Sequence, residues 1–126
     1  MHEMAIALAL IEQAEKAAKE QGARAIPGIT VVVGRLSGVD PDALRAVFEL
    51  AAEESLAAGA TLAIELVEAR VRCRKCGKMS RPEPPFMTCV ECGALDVDLE
   101  CGRELYIKSM DVDVEDGKSE GGVSNV

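Results

Sequence analysis

Apolar residues recur along this chain with two periods, one near 3.6 and one of 2, and the switches between them mark out its elements. From about Glu3 to Gln21, Met4, Leu8 and Ile11 fall on one helical face with Ile6 and Leu10 alongside, while Glu12, Glu15, Lys16, Lys19 and Glu20 lie opposite. Gly22 offers a C-terminal stop. Residues Gly28 to Leu36 (GITVVVGRL) are rich in β-branched side chains and follow Pro27, which predicts a strand. Asp40-Pro41 is a helix start, an N-cap followed by proline at the first helical position. That second helix is expected to run through Leu44, Val47, Phe48, Ala51 and Leu56 to Gly59.

Alternation then returns. Leu62, Ile64 and Leu66 alternate with Ala63, Glu65 and Val67 in a segment, Thr61 to Val71, that leads straight into Cys73. Leu105, Ile107, Val112 and Val114 suggest a third strand over Glu104 to Val114. The polar, Gly/Ser-rich tail from Glu115 to Val126 is expected to be disordered. The predicted fold is α+β: two helices on a small three-stranded sheet, with a four-cysteine module inserted before the last strand. The expected divisions are a body of residues 1–71 plus 103–114, a metal module of 72–102 and a tail of 115–126. A last strand that returns to the body after an insertion permits strand exchange between chains, and so a homo-oligomer.

The inserted module carries the clearest chemistry. Cys73-Arg74-Lys75-Cys76 and Cys89-Val90-Glu91-Cys92 are separated by twelve residues, and each pair is followed by glycine, Gly77 and Gly93. A CxxC turn sets two thiolates on one side of a tight loop, and the glycine lets the backbone turn back under the sulfurs. Two such knuckles make a closed tetrathiolate site, for which structural zinc is the first choice. Iron in a rubredoxin-like site is the redox alternative, but it relies on an aromatic shell to which only Phe86 could contribute. A closed site leaves no open position for water or substrate.

Charge narrows the partners. The net charge is −8, and the aromatic complement is two Phe and one Tyr with no Trp. Arg70, Arg72, Arg74, Lys75, Lys78 and Arg81 do surround the first knuckle. They could line a nucleic-acid groove, but offsetting the double negative charge of a zinc tetrathiolate is the favoured role. Charged and amide residues interrupt every long apolar run, which argues against a membrane span. The opening Met1-His2-Glu3 lacks the basic start of a secretory signal, and five cysteines is an odd number for a disulfide framework. A soluble, cytoplasmic protein with reduced thiols is expected.

His2 is the only histidine. A solvated terminal residue is its bland reading. Position 2 allows another: the α-amine of Met1, the amide nitrogen of His2 and its imidazole can chelate one ion through fused rings, with the Glu3 amide as a fourth in-plane donor. Such an all-nitrogen square-planar set suits Ni(II) or Cu(II) rather than zinc. Deprotonating the amides neutralises the ion, which a helix N-terminus would otherwise repel.

These residues resemble a known family. Met1-His2-Glu3-Met4 opening an amphipathic helix, VGRLSGVDPDALRAVFELAAEES, the doubled CxxC and the closing GRELYIKSMDVD look, in that order, like the HypA/HybF nickel-incorporation proteins. The resemblance runs from residue 1 to about 114. It implies a nickel metallochaperone for [NiFe] hydrogenase maturation, with urease served by some members. It further implies nickel at Met1, His2 and Glu3, with His2 the essential ligand and the Glu3 side chain tuning the site. Structural zinc would sit at Cys73, Cys76, Cys89 and Cys92. Partners would be a HypB-type GTPase and the hydrogenase large subunit.

No nucleophile–base pair, open catalytic metal or nucleotide loop is apparent, so a carrier is expected rather than an enzyme. Cys101 stands outside the four-cysteine pattern and reads as a half-buried spare thiol. The competing function is a zinc-ribbon module that binds protein or nucleic acid and in which His2 is incidental.

Overall fold

The computed structural model describes residues 2–82, 86–114 and 119–120, the last two through their backbone pairing. Its order is α1 (Glu3–Glu20), β1 (Ala23–Gly34), α2 (Pro41–Ala52), β2 (Thr61–Val67), β3 (Arg70–Cys73), β4 (Met79–Ser80), β5 (Val97–Cys101), β6 (Leu105–Val114) and β7 (Ser119–Glu120). Two sheets form, one ordered β2-β1-β6-β7 and the other β4-β3-β5. This is the α+β architecture that the periodicities predict.

α1 ends as its sequence suggests. The Gly22 amide donates to the Lys19 carbonyl and its φ of +73° needs a glycine. Its buried stripe is Ala7, Leu10, Ile11, Ala14 and Ala18, so small residues seat the helix close to the sheet. Leu8, expected on the inner face, is 49% exposed. α2 starts at its predicted cap, where the Asp40 carboxylate accepts from the Asp42 and Ala43 amides at 3.0 and 3.4 Å.

α2 stops at Ala52 rather than reaching Gly59. Tertiary partners take the backbone of Leu56: its amide donates to Glu15 Oε2 at 2.9 Å and its carbonyl accepts from Ile26 N at 2.8 Å. Those bonds compete with helical ones and win.

The large sheet gathers the core. β1 lies at its centre, parallel to β2 and antiparallel to β6. Ile29, Val31 and Val33 of β1, with Ile107, Met110 and Val112 of β6, pack in one buried cluster with Leu10 of α1 and Leu44 and Phe48 of α2. Each such aliphatic or aromatic burial contributes about 1.5–3 kcal/mol.

β1 is longer than predicted. It begins at Ala23 and includes Pro27, because β6 is long enough to pair it as far as Val114. The register shifts between Ala25 and Gly28, so the missing proline N–H falls at an irregularity of the ladder.

The strand predicted over Thr61 to Val71 is in fact two. β2 ends at Val67, and after Glu68 and Ala69 the chain re-enters as β3 in the second sheet. The tail also differs from expectation, since Ser119 and Glu120 pair with Asp113 and Val112 as a fourth strand. The rest of the tail lies outside the described residues.

A short crossing joins the two sheets. Amides of Gly34, Arg35 and Leu36 donate to the carbonyls of Glu104, Val67 and Gly102 at 2.7, 2.9 and 2.6 Å. One loop thus holds both connecting segments. Arg35 adds a two-point ion pair to Glu68, Nε to Oε1 at 2.9 Å and Nη2 to Oε2 at 3.1 Å. The same end of the body carries the start of both helices, for Glu3 Oε2 accepts the Asp40 amide at 3.2 Å.

Candidate metal centre

Four sulfurs converge in the small sheet. One Sγ from each of Cys73, Cys76, Cys89 and Cys92 lies within 4.8 Å of the others. The Cys73–Cys92 and Cys76–Cys89 separations are both 3.6 Å. A regular tetrahedron with metal–sulfur bonds of about 2.3 Å has edges of about 3.8 Å, so the cluster has the size of a zinc tetrathiolate. All five cysteines are free thiols.

The local sequence builds the two knuckles in the same way. In the first, Cys73 Sγ accepts the Lys75 and Cys76 amides, both at 3.3 Å, and the Gly77 amide returns to the Cys73 carbonyl at 3.0 Å. In the second, Cys89 Sγ accepts the Cys92 amide at 3.4 Å and the Gly93 amide returns to the Cys89 carbonyl at 2.8 Å. Gly77 and Gly93 have φ of +76° and +77°, so each turn needs its glycine.

This geometry polarises the thiols. The Cys76 amide, with the Lys75 amide, pulls the Cys73 thiol down to about 6 against the opposing effect of burial. Cys89 is lowered for the same reason, by the Cys92 amide first. The Ala94 amide favours the Cys92 thiolate, but the neighbouring Cys73 sulfur and burial outweigh it and push Cys92 up to about 11. Four thiolates cannot share so small a space without a cation, and that is what a metal supplies.

Two of the cations around the first knuckle find carboxylates. Arg74 donates to Asp98 at 2.6 Å and to Asp96 at 3.1 Å, and Arg72 lies 3.7 Å from Glu100. Sequence reasoning assigned these arginines to the cluster's charge and missed their partners on and beside β5, which no local pattern announces. Arg35, Glu68, Gly34 and Gly102 were missed for the same reason. Cys101 stays apart from the cluster, with its thiol directed to the Glu68 carbonyl at 3.4 Å.

His2 is exposed and stands at the N-cap of α1, where its side chain makes no capping bond. Its carbonyl accepts the Ile6 amide at 3.0 Å, the first bond of the helix. Met1 lies outside the described residues, so the structure gives only part of the terminal triad.

An α+β body bearing a tetrathiolate ribbon defines a small metal-binding protein, and the comparisons say of which kind. Residues 1–112 match the family described as "Hydrogenase/urease nickel incorporation, metallochaperone, hypA". The chain is 46% identical over 121 residues to hydrogenase maturation factor HypA of Streptomyces avermitilis, covering 94% of this chain and 91% of that one. It is 42% identical over 113 residues to the HypA of Chlorobaculum tepidum, covering 90% of this chain and 100% of that one. A solution structure of the Ni metallochaperone HypA from Helicobacter pylori aligns with TM-score 0.65 and 27% identity over 90% of this chain and 98% of that one. The chain therefore belongs to the HypA family of nickel-incorporation metallochaperones, maturation factors and not enzymes.

Proposed function

We propose that this chain carries Ni(II) at its N-terminus and delivers it to a nickel enzyme during maturation, with [NiFe] hydrogenase the first candidate. The observation that carries the reading is His2 itself. It is exposed, it stands at the N-cap of α1, and its imidazole serves no cap. The α-amine of Met1, the His2 amide and imidazole, and the Glu3 amide would form the donor set. The Glu3 carboxylate, already engaged by the Asp40 amide, would fix the first turn and tune the site.

Cys73, Cys76, Cys89 and Cys92 would hold structural zinc, with residues 72–102 as the zinc module and the remainder of 1–114 as the nickel body. Nickel would move by ligand exchange. Protonating one amide nitrogen or displacing the imidazole dismantles the chelate, so a recipient with better-placed ligands can strip it. A HypB-type GTPase would supply the energy and the hydrogenase large subunit would receive the metal, with the urease pathway open to the same chemistry. This work belongs in the cytoplasm, and among the described residues no helix is long and apolar enough to cross a membrane. The acidic net charge of −8 and the pairing of Arg72 and Arg74 with carboxylates argue against nucleic acid as the partner.

Native mass spectrometry with metal analysis tests this. Zinc-loaded wild type should take up one further Ni(II) per chain, and His2→Ala should keep zinc while losing nickel. Equal nickel uptake by both proteins, or by neither, would return His2 to an incidental role. Because amide donors must shed protons, uptake should weaken as the pH falls below neutral.

A further inference from the structure

Between α1 and α2 runs a groove of about 430 Å³ whose lining is of two kinds. Its apolar part includes Met4, Leu8 and Ile11 of α1 and Leu50 and Ala51 of α2. Leu8 is 49% and Leu50 59% exposed, although both helices have a buried face available in the core. Burial would recover hydrophobic free energy that the isolated chain forgoes at this spot.

Every charged residue of the lining is acidic. Glu12, Glu53 and Glu54 line the groove, and among the described residues none of them has an ion-pair partner. Their position is electrostatically unfavourable as well. α2 has no basic residue in its last turn, so its negative end faces the carboxylates of Glu53 and Glu54 just beyond it. α1 follows the opposite rule, with Lys19 in its last turn. The charge at the end of α2 works against the helix, and a cation brought beside it would relieve it.

An apolar floor inside a negative rim is the complement of one class of ligand. We infer that this groove is the docking site for a cationic amphipathic helix of a protein partner, with aliphatic anchors at helical spacing seated on Leu8 and Leu50 and Lys or Arg flanks facing Glu12, Glu53 and Glu54. A groove between two helices offers no open strand edge, so an extended segment would leave its backbone unpaired. A helix satisfies its own backbone and brings side chains one turn apart onto one face. No metal takes part, so this surface stands or falls separately from the nickel reading.

The test uses zinc-loaded full-length protein, isotopically labelled, titrated with a synthetic leucine–lysine amphipathic peptide of about five helical turns. The amphipathic peptide should bind saturably, with amide shifts confined to α1, α2 and the turn after α2. A peptide of the same composition, scrambled so that no apolar face forms, should bind at least about tenfold more weakly. Leu8→Gln with Leu50→Gln should weaken binding about tenfold or more, as should Glu12→Gln with Glu53→Gln and Glu54→Gln. Glu15 is left unchanged because its carboxylate holds the Leu56 amide. Unchanged amide spectra elsewhere would establish that each variant is folded. Equal binding of the scrambled peptide, shifts centred on β2 or the ribbon, or indifference to both sets of variants would overturn the proposal.

Discussion

Single side chains do two separable kinds of work here, and Asp40 and His2 mark the difference. Asp40 is structural: its carboxylate satisfies two orphan amides at the start of α2, and its own amide ties that helix to Glu3. Asp40→Ala should cost about 1 kcal/mol, read as a fall of several degrees in Tm, with nickel stoichiometry preserved. An unchanged Tm would mean that solvent caps the helix as well as the carboxylate does. His2 contributes only its backbone to the fold, through the bond from the Ile6 amide to its carbonyl. His2→Ala should therefore leave the Tm of the metal-free body unmoved, within about 0.5 kcal/mol. A large loss of stability in that variant would show that the imidazole is a fold element.

The ribbon is the element that the proposed zinc would complete. Its three strands are four, two and five residues long, and its buried apolar content is little more than Val71 and Ala69 beside Cys73 and Cys89. So small a core does not hold a sheet in water. Chelating the proposed zinc at neutral pH should melt β3, β4 and β5 while amide signals of α1, α2 and the large sheet persist. Loss of both regions together would show that the body depends on the ribbon.

Acid should act in the same direction as the chelator. Each thiolate that takes up a proton gives up its bond to the metal. In the metal-free cluster, Cys92 near 11 takes its proton well before Cys73 does near 6. The lowered Cys73 value means a stabilising contribution that is full above the ordinary thiol pKa and lost as the pH falls through about 6. Metal release, followed by a colorimetric zinc indicator, should rise as the pH falls, because each thiolate that is protonated leaves the metal. Release that instead increased toward alkaline pH would contradict thiolate ligation.

At the level of the whole molecule, the crossing of three chain segments sets where the ribbon sits on the body. Gly34 lies so close to the returning chain that a β-carbon there would stand 2.2 Å from the Gly102 carbonyl oxygen and 2.6 Å from the Glu104 amide nitrogen. Both are backbone atoms, so no side-chain rotation relieves the contact. Gly34→Ala should cost about 2 kcal/mol or more and change the orientation of the ribbon, measurable by residual dipolar couplings. Arg35→Ala, which removes only an exposed ion pair, should cost about 1 kcal/mol or less. If the two variants behave alike, the backbone crossing is looser than its hydrogen bonds imply.

How much of this was legible in one dimension follows from the range of the forces involved. The helices, the caps at Asp40 and Gly22 and the two knuckles were readable because their determinants lie within a few residues of one another. The tetrathiolate was readable because spacing alone constrains four sulfurs on two turns. The end of α2 at Ala52 was not, since Leu56 is claimed by Glu15 and Ile26 from distant parts of the chain. Nor was the break after Val67, where the apolar phase passes from Leu62, Ile64 and Leu66 to Val67, Ala69 and Val71 with no turn residue to mark a change of sheet. Arg74 meeting Asp98, Gly34 pressed against Gly102, and Leu8 and Leu50 left exposed around one acidic groove all depend on long-range placement. Local chemistry writes elements and metal turns into the chain, whereas burial, close approach and charge pairing exist only once the elements have packed.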